Sequence, residues 1–161
     1  MLLSDINETK KSISWYRSLV LNMRDESKIK NSGFGKVVSN LQIGGMYFYR
    51  YDPKLKDILP IYDKFPLVIP MEPYADSFLG LNLHYLPSEI RAMMFKKLTN
   101  ISGPNKLAVT YSLLKGVSRL QGFQICIKKY LYSHIESKFI EIDPLFWNTA
   151  IKLPVAQFVR K

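Results

Sequence analysis

The chain has 161 residues, with 23 Lys and Arg against 13 Asp and Glu for a formal net charge of +10, and 13% of its residues are aromatic. That length and aromatic content point to one folded domain with its own core rather than a disordered chain. The single cysteine, Cys126, excludes an intrachain disulfide and a cysteine-based metal site, and no apolar run approaches the roughly 20 residues of a membrane helix.

The opening MLLSDINETKK lacks a basic segment ahead of an apolar core and so does not read as a secretory signal. A soluble protein of a reducing compartment is expected. Charge is unevenly spread: the excess of Lys and Arg over Asp and Glu is +3 for residues 1–43, −1 for 44–87 and +8 for 88–161. A neutral middle followed by a basic second half suits a protein that faces a polyanion or an acidic protein.

In chain order, residues 1–11 are polar and are expected to lie loosely. Trp15, Leu19, Val20 and Met23 then fall at helical spacing, which predicts a helix over 12–24. Residues 25–35 have the Ser, Asn and Gly content of a loop. Residues 36–43 fit a helical turn or a strand. Residues 1–43 thus form an N-terminal helix and basic loop, an arm that packs on the core or docks on a partner, ahead of a core domain at 44–161.

Gly44-Gly45 supplies a hinge into the most informative stretch. Tyr47, Tyr49 and Tyr51 alternate with Met46, Phe48 and Arg50, the two-residue period of a half-buried strand. Leu67-Val68-Ile69, fenced by Pro66 and Pro70, reads as one short strand. Phe78 to Leu86 makes a third. Between the first two, Pro60 and Pro66 limit residues 54–66 to a connection with at most a turn of helix.

Pro87 with Glu89 starts a helix carrying Ile90, Met93, Met94 and Leu98. A second is expected over 106–119 and a third over 123–136, the latter with Phe123, Ile127, Tyr130, Leu131 and His134 on one face. Residues 139–142 read as a fourth strand. Asp143-Pro144 then starts a last helix. The expected architecture is a single α+β domain: a small antiparallel sheet, with barrel-like closure left open, covered by several α-helices.

Few residues suggest catalysis. His84 and His134, the two histidines, have no second ligand at metal spacing. His134 reads as a core histidine and His84 as a strand residue bonded to a carbonyl. Cys126 lies among apolar neighbours that raise a thiol's pKa, which reads as core rather than nucleophile. Gly33-Phe34-Gly35-Lys36 lacks P-loop spacing. Glu136-Ser137-Lys138 ahead of a strand, with Asp52 or Asp63, is the minimum inventory of a small Mg²⁺-dependent nuclease, although Glu136 and Lys138 equally suit a solvated helix end.

The basic residues carry more. Arg91, Lys96, Lys97, Lys106, Lys115, Arg119, Lys128, Lys129 and Lys138 come from the basic second half and would meet phosphates or an acidic partner without reading bases. No helix-turn-helix, zinc-finger or RNA-binding signature is present.

The segments GMYFYRYDPK (45–54), LPIYDKFPLV (59–68), GLNLHYLP (80–87) with Arg91, CIKKYL (126–131) and WNTAIKLPVAQF (147–158) together resemble a family of small virion-associated proteins of T-even-type tailed phages, that of the DNA end protector. The resemblance implies a non-enzymatic particle component without cofactors. It would bind the terminus of packaged linear duplex DNA, shield it from exonucleases, and reside in the virion and, during assembly, in the host cytoplasm. Duplex DNA or its end and other virion proteins are the implied partners, with no membrane. An alternative is a tail, neck or baseplate subunit that docks on acidic protein, with Trp15 and Tyr47 as exposed interface anchors.

Overall fold

The computed structural model describes residues 3–54, 56–59, 62–86, 90–93, 96, 112, 115–116, 126–153 and 159–160. Helix α1 runs over Leu3–Asn22 and therefore takes in the polar start that the sequence suggested would lie loosely. Its apolar stripe buries Trp15 and Leu19, with Val20 and Met23 against the same core. Ser12 Oγ donates to Thr149 O at 2.7 Å, fixing the helix to the C-terminal part of the chain. Where a loop was expected, α2 spans Glu26–Ser32. Asp25 caps it by accepting from Lys28 N at 3.2 Å, Ile29 anchors it in the core, and Gly33 at φ 75° ends it in the left-handed conformation.

Among the described residues, six strands form an antiparallel sheet in the order β1 (Gly35–Val38), β7 (Phe139–Ile142), β2 (Tyr47–Phe48), β4 (Leu67–Pro73), β5 (Ser77–Asn82), β6 (Ile127–Leu131). The sheet is open and does not close into a barrel. A separate two-stranded pair joins β3 (Tyr62–Asp63) to β8 (Val159–Arg160). The fold is α+β, as expected.

The alternation at 46–51 holds, but both of its sides are buried. Met46 and Phe48 enter a core under α1 and α2 that also contains Leu67, Ile69, Leu81, Ile140 and Ile142. Tyr47, Tyr49 and Tyr51 enter a second cluster on the opposite face with Val68, Phe78, Tyr130 and Phe139. The tyrosine rings meet edge to face, Tyr49 with Phe139 at 5.2 Å and Tyr51 with Tyr130 at 5.0 Å between centroids. Helices therefore cover one face of the sheet, and an aromatic layer fills the other.

Pro70 was expected to end its strand, yet β4 continues through it to Pro73. The register with β5 shifts between Pro70 and Glu72, a bulge of the kind that accommodates a residue with no N–H to give. The Phe78–Leu86 run splits into β5 and a 3₁₀ turn at Leu83–Tyr85.

The largest departure is at 123–136, expected as a helix. Ile127–Leu131 is strand β6, paired with β5 from Leu81↔Ile127 to Ser77↔Leu131. A spacing of four is even, so Ile127 and Leu131 share a face on a strand as well as on a helix. The ladder to β5 decided between them. Residues 90–93, 96, 112 and 115–116 are helical, and the rest of the helices expected over 87–98 and 106–119 lies outside the described residues. The last helix is present at Trp147–Ile151, preceded by a 3₁₀ turn capped by Asp143.

Candidate nucleic-acid interface

The two-residue strand β3 is held to the main sheet by a buried polar network. Asp63 Oδ1 accepts from Phe65 N at 3.0 Å, and its Oδ2 accepts from Asn82 Nδ2 at 3.2 Å and from His84 Nδ1. Asn82 Nδ2 also donates to the Tyr130 hydroxyl at 2.9 Å, while Asn82 Oδ1 accepts from His84 N at 2.8 Å. Burial holds the His84 imidazole below its ordinary pKa, so a neutral ring donates to the Asp63 carboxylate. His84 thus bonds a carboxylate from a turn, not a carbonyl from a strand.

Above this network opens a cleft of about 410 Å³ lined by Tyr51, Pro53, Lys54, Leu59, Tyr62, Asp63, Asn82, Tyr85, Lys128, Lys129, Tyr130 and Leu131. Lys128 places its ammonium 4.8 Å from the Tyr85 ring centroid, and Lys129 places its own 5.5 Å from that of Tyr74. Lys128 and Lys129 both line the cleft, their ammoniums set over different rings. Neither these two nor Lys54 forms an ion pair with a carboxylate among the described residues. The charge here is net positive.

The other expected contact residues have different surroundings. Arg91 is not on a surface at all: it is 1% exposed. Its Nε donates to Leu86 O at 2.8 Å and its Nη1 to Leu153 O at 2.6 Å and Ile151 O at 3.1 Å, and burial lowers its pKa to about 10. It ties the helical segment at 90–93 to the end of the C-terminal helix. Lys96 and Lys115 are exposed. Lys138 pairs with Glu26 at 2.8 Å. Lys97, Lys106 and Arg119 lie outside the described residues.

Neither expected interface anchor is available to a partner. Trp15 is 4% and Tyr47 0% exposed; the Tyr47 hydroxyl accepts from Gln42 N at 2.8 Å and donates to Glu141 Oε2 at 3.4 Å. Large aromatic side chains favour burial in the chain's own core before they favour a partner. Cys126 is core as expected, its thiol pushed up by burial to about 11. His134 is half-buried in a 3₁₀ turn rather than on a helix, its Nδ1 donating to Asp52 O at 2.8 Å.

Two acids of the nuclease inventory share one notch, each paired with a cation, and the third faces elsewhere. Glu136 pairs with Arg50 at 3.3 Å and Asp52 with Lys56 at 2.7 Å, both beside a smaller notch of about 190 Å³, whereas Asp63 faces the larger cleft. No group of three His, Cys, Asp or Glu among the described residues could hold a metal ion.

A family model described as phage T4 terminal DNA protecting protein matches residues 5–161. The chain belongs to this family. The match extends well beyond the segments at 45–158 that carry the sequence resemblance, taking in α1, α2 and β1. Searches of curated proteins and of solved structures found no match. No helix among the described residues is long and apolar enough to cross a membrane.

Sequence reasoning had singled out Lys128 and Lys129 but missed Lys54, Tyr62, Tyr85, Asn82 and Tyr130. One local signal was available: Asn82 two residues before His84 is the spacing of an Asx turn. Nothing local could have joined Asp63 to His84.

Proposed function

We propose that the protein covers the end of linear duplex DNA as a component of the phage particle, holding it by phosphate contacts, without base specificity and without cutting it. Assembly onto the DNA takes place in the host cytoplasm. Membership of the terminal DNA protecting family is the observation that carries this reading. The lysines at the cleft support it, because Lys54, Lys128 and Lys129 lack carboxylate partners among the described residues and are free to neutralise phosphates. Each phosphate so neutralised releases counterions, and log K falls with log salt by about 0.9 per contact on duplex DNA.

Glu136 and Asp52 are each paired with a cation at the smaller notch and Asp63 with His84 at the larger cleft, which supports a protein that binds rather than cuts. The test compares a blunt linear duplex with a closed circle of the same sequence across a salt series with Mg²⁺ present, followed by exonuclease challenge. Preference for the linear form, slowed degradation and intact DNA are expected. No binding at low salt, or cleavage, would overturn the reading.

A further inference from the structure

A duplex end differs from its interior in that its last nucleotide is stacked on one side only and leaves the helix at lower cost than any other. An end-specific site can therefore be one that fits an unstacked nucleotide. The cleft beside β3 and β6, about 410 Å³, falls low in the roughly 300–1,000 Å³ range of small-ligand pockets. That volume is on the scale of a single nucleotide rather than of a paired step.

Its surfaces are divided as a nucleotide requires. Tyr62 and Tyr85 give aromatic walls and Leu59 an apolar one, with Lys54 and Lys128 beside them. Lys128 is already seated over the Tyr85 ring, so a phosphate there meets a cation next to a stacking surface. Asp63 keeps phosphate away from the floor. Its own oxygens are turned to Phe65 N, Asn82 and His84, which leaves the carboxylate in place without asking anything of a ligand.

Base identity would go unread. Asn82, the one side-chain amide in the lining, spends its amide group on Asp63 and Tyr130 and its oxygen on His84 N. The Tyr130 hydroxyl accepts from Asn82 and has no acceptor for its own proton among the described residues. That single donor suits an acceptor on any base or sugar.

We propose that this cleft takes the terminal nucleotide of the DNA, its base against Tyr62 and Tyr85 and its phosphate at Lys54 and Lys128. The assignment rests on the end-binding reading above and adds how an end is told from an interior: an intact interior offers no nucleotide to insert. Stacking on an aromatic is sequence-tolerant, since every base has a π-face.

The test uses the full chain and a DNA hairpin with one open end, carrying 4-thiothymidine at the terminal or at an internal position. Photocrosslinks from the terminal position alone to peptides containing Tyr62, Tyr85 or Tyr130 are expected. Terminal crosslinks that map elsewhere would overturn the assignment. In a second measurement, Tyr62→Ala lowers the ratio of open-end to closed-circle affinity about tenfold, and Tyr62→Phe, which keeps the ring, restores it. An unchanged ratio in a folded Tyr62→Ala protein overturns the cleft while the end preference of the unaltered protein still stands. If the unaltered protein shows no end preference, the end-binding reading fails and the cleft assignment with it.

Discussion

Replacing Arg91 by Ala separates a structural arginine from a phosphate contact. The guanidinium makes three hydrogen bonds of 2.6 to 3.1 Å, to the carbonyls of Leu86, Leu153 and Ile151, and a further contact of 3.5 Å to Ala150 O. Bonds from a charged donor contribute roughly 1.5–3 kcal/mol each, and the cost of burying the charge offsets a good part of that. Truncation also leaves the carbonyls of Leu86 and Leu153 to whatever water the new cavity admits. A net loss of about 3–5 kcal/mol follows, against a total stability of about 5–15 kcal/mol for a domain of this kind. In a chain of 161 residues each kcal/mol moves Tm by about 2–4 °C, so thermal unfolding followed by circular dichroism should report a fall of at least 6 °C. Arg91→Lys should lie between, because one ammonium cannot reach the carbonyls at both ends of the brace. At a temperature where Arg91→Ala is folded, the salt slope of DNA binding should match the unaltered protein. A Tm shift below about 2 °C together with a slope reduced by about 1 would show that Arg91 meets phosphate and that the reasoning is wrong.

Three further outcomes are expected. His84 has a folded-state pKa below its unfolded value of about 6.5; the unfolded chain therefore takes up the proton first, and stability is lost as pH falls below about 6.5, by at most about 1.4 kcal/mol per pH unit, until the buried ring itself titrates. Urea unfolding between pH 7.5 and 5 should show that slope in the unaltered protein and lose it in His84→Gln; equal slopes would deny His84 the role. Gly35→Ala would set a Cβ 2.1 Å from Glu141 O, a backbone atom of the neighbouring strand, so β1 must shift and stability should drop by about 1–3 kcal/mol; a Tm unchanged by the substitution would refute this packing of β1 on β7. Lys128→Ala and Lys129→Ala should each reduce the salt slope of duplex binding by about 0.9, and a slope unaltered in the double variant would remove β6 from the interface.

Much of the fold is legible wherever a residue's preference is local. The stripe of Trp15, Leu19, Val20 and Met23 marks α1, the alternation at 46–51 marks two distinct buried faces although only Tyr47–Phe48 is strand, and Asp143-Pro144 marks the start of the last helical turn. Where the local signal is degenerate the reading fails. Ile127 and Leu131 satisfy a helix and a strand equally, and the hydrogen-bonding edge of β5 settles the matter. Asp25 was overlooked as a cap, and α2 with it.

Charge shows the same division. Composition alone determines that the protein is basic, and the order of residues that most of the excess lies after residue 87; the family's motifs are written in that order too. Which cations face solvent is not written there. Arg91 and Lys128 look alike in a list of basic residues, yet one closes on backbone carbonyls in the interior and the other stands over a tyrosine at the mouth of a cleft. The pairing of Asp63 with His84 across 21 positions, and the burial of Trp15 and Tyr47, were likewise decided only when the strands met. The physical reason is that period and propensity act over a few residues, whereas desolvation and hydrogen-bond partners are set by whichever distant segment the packed chain brings alongside.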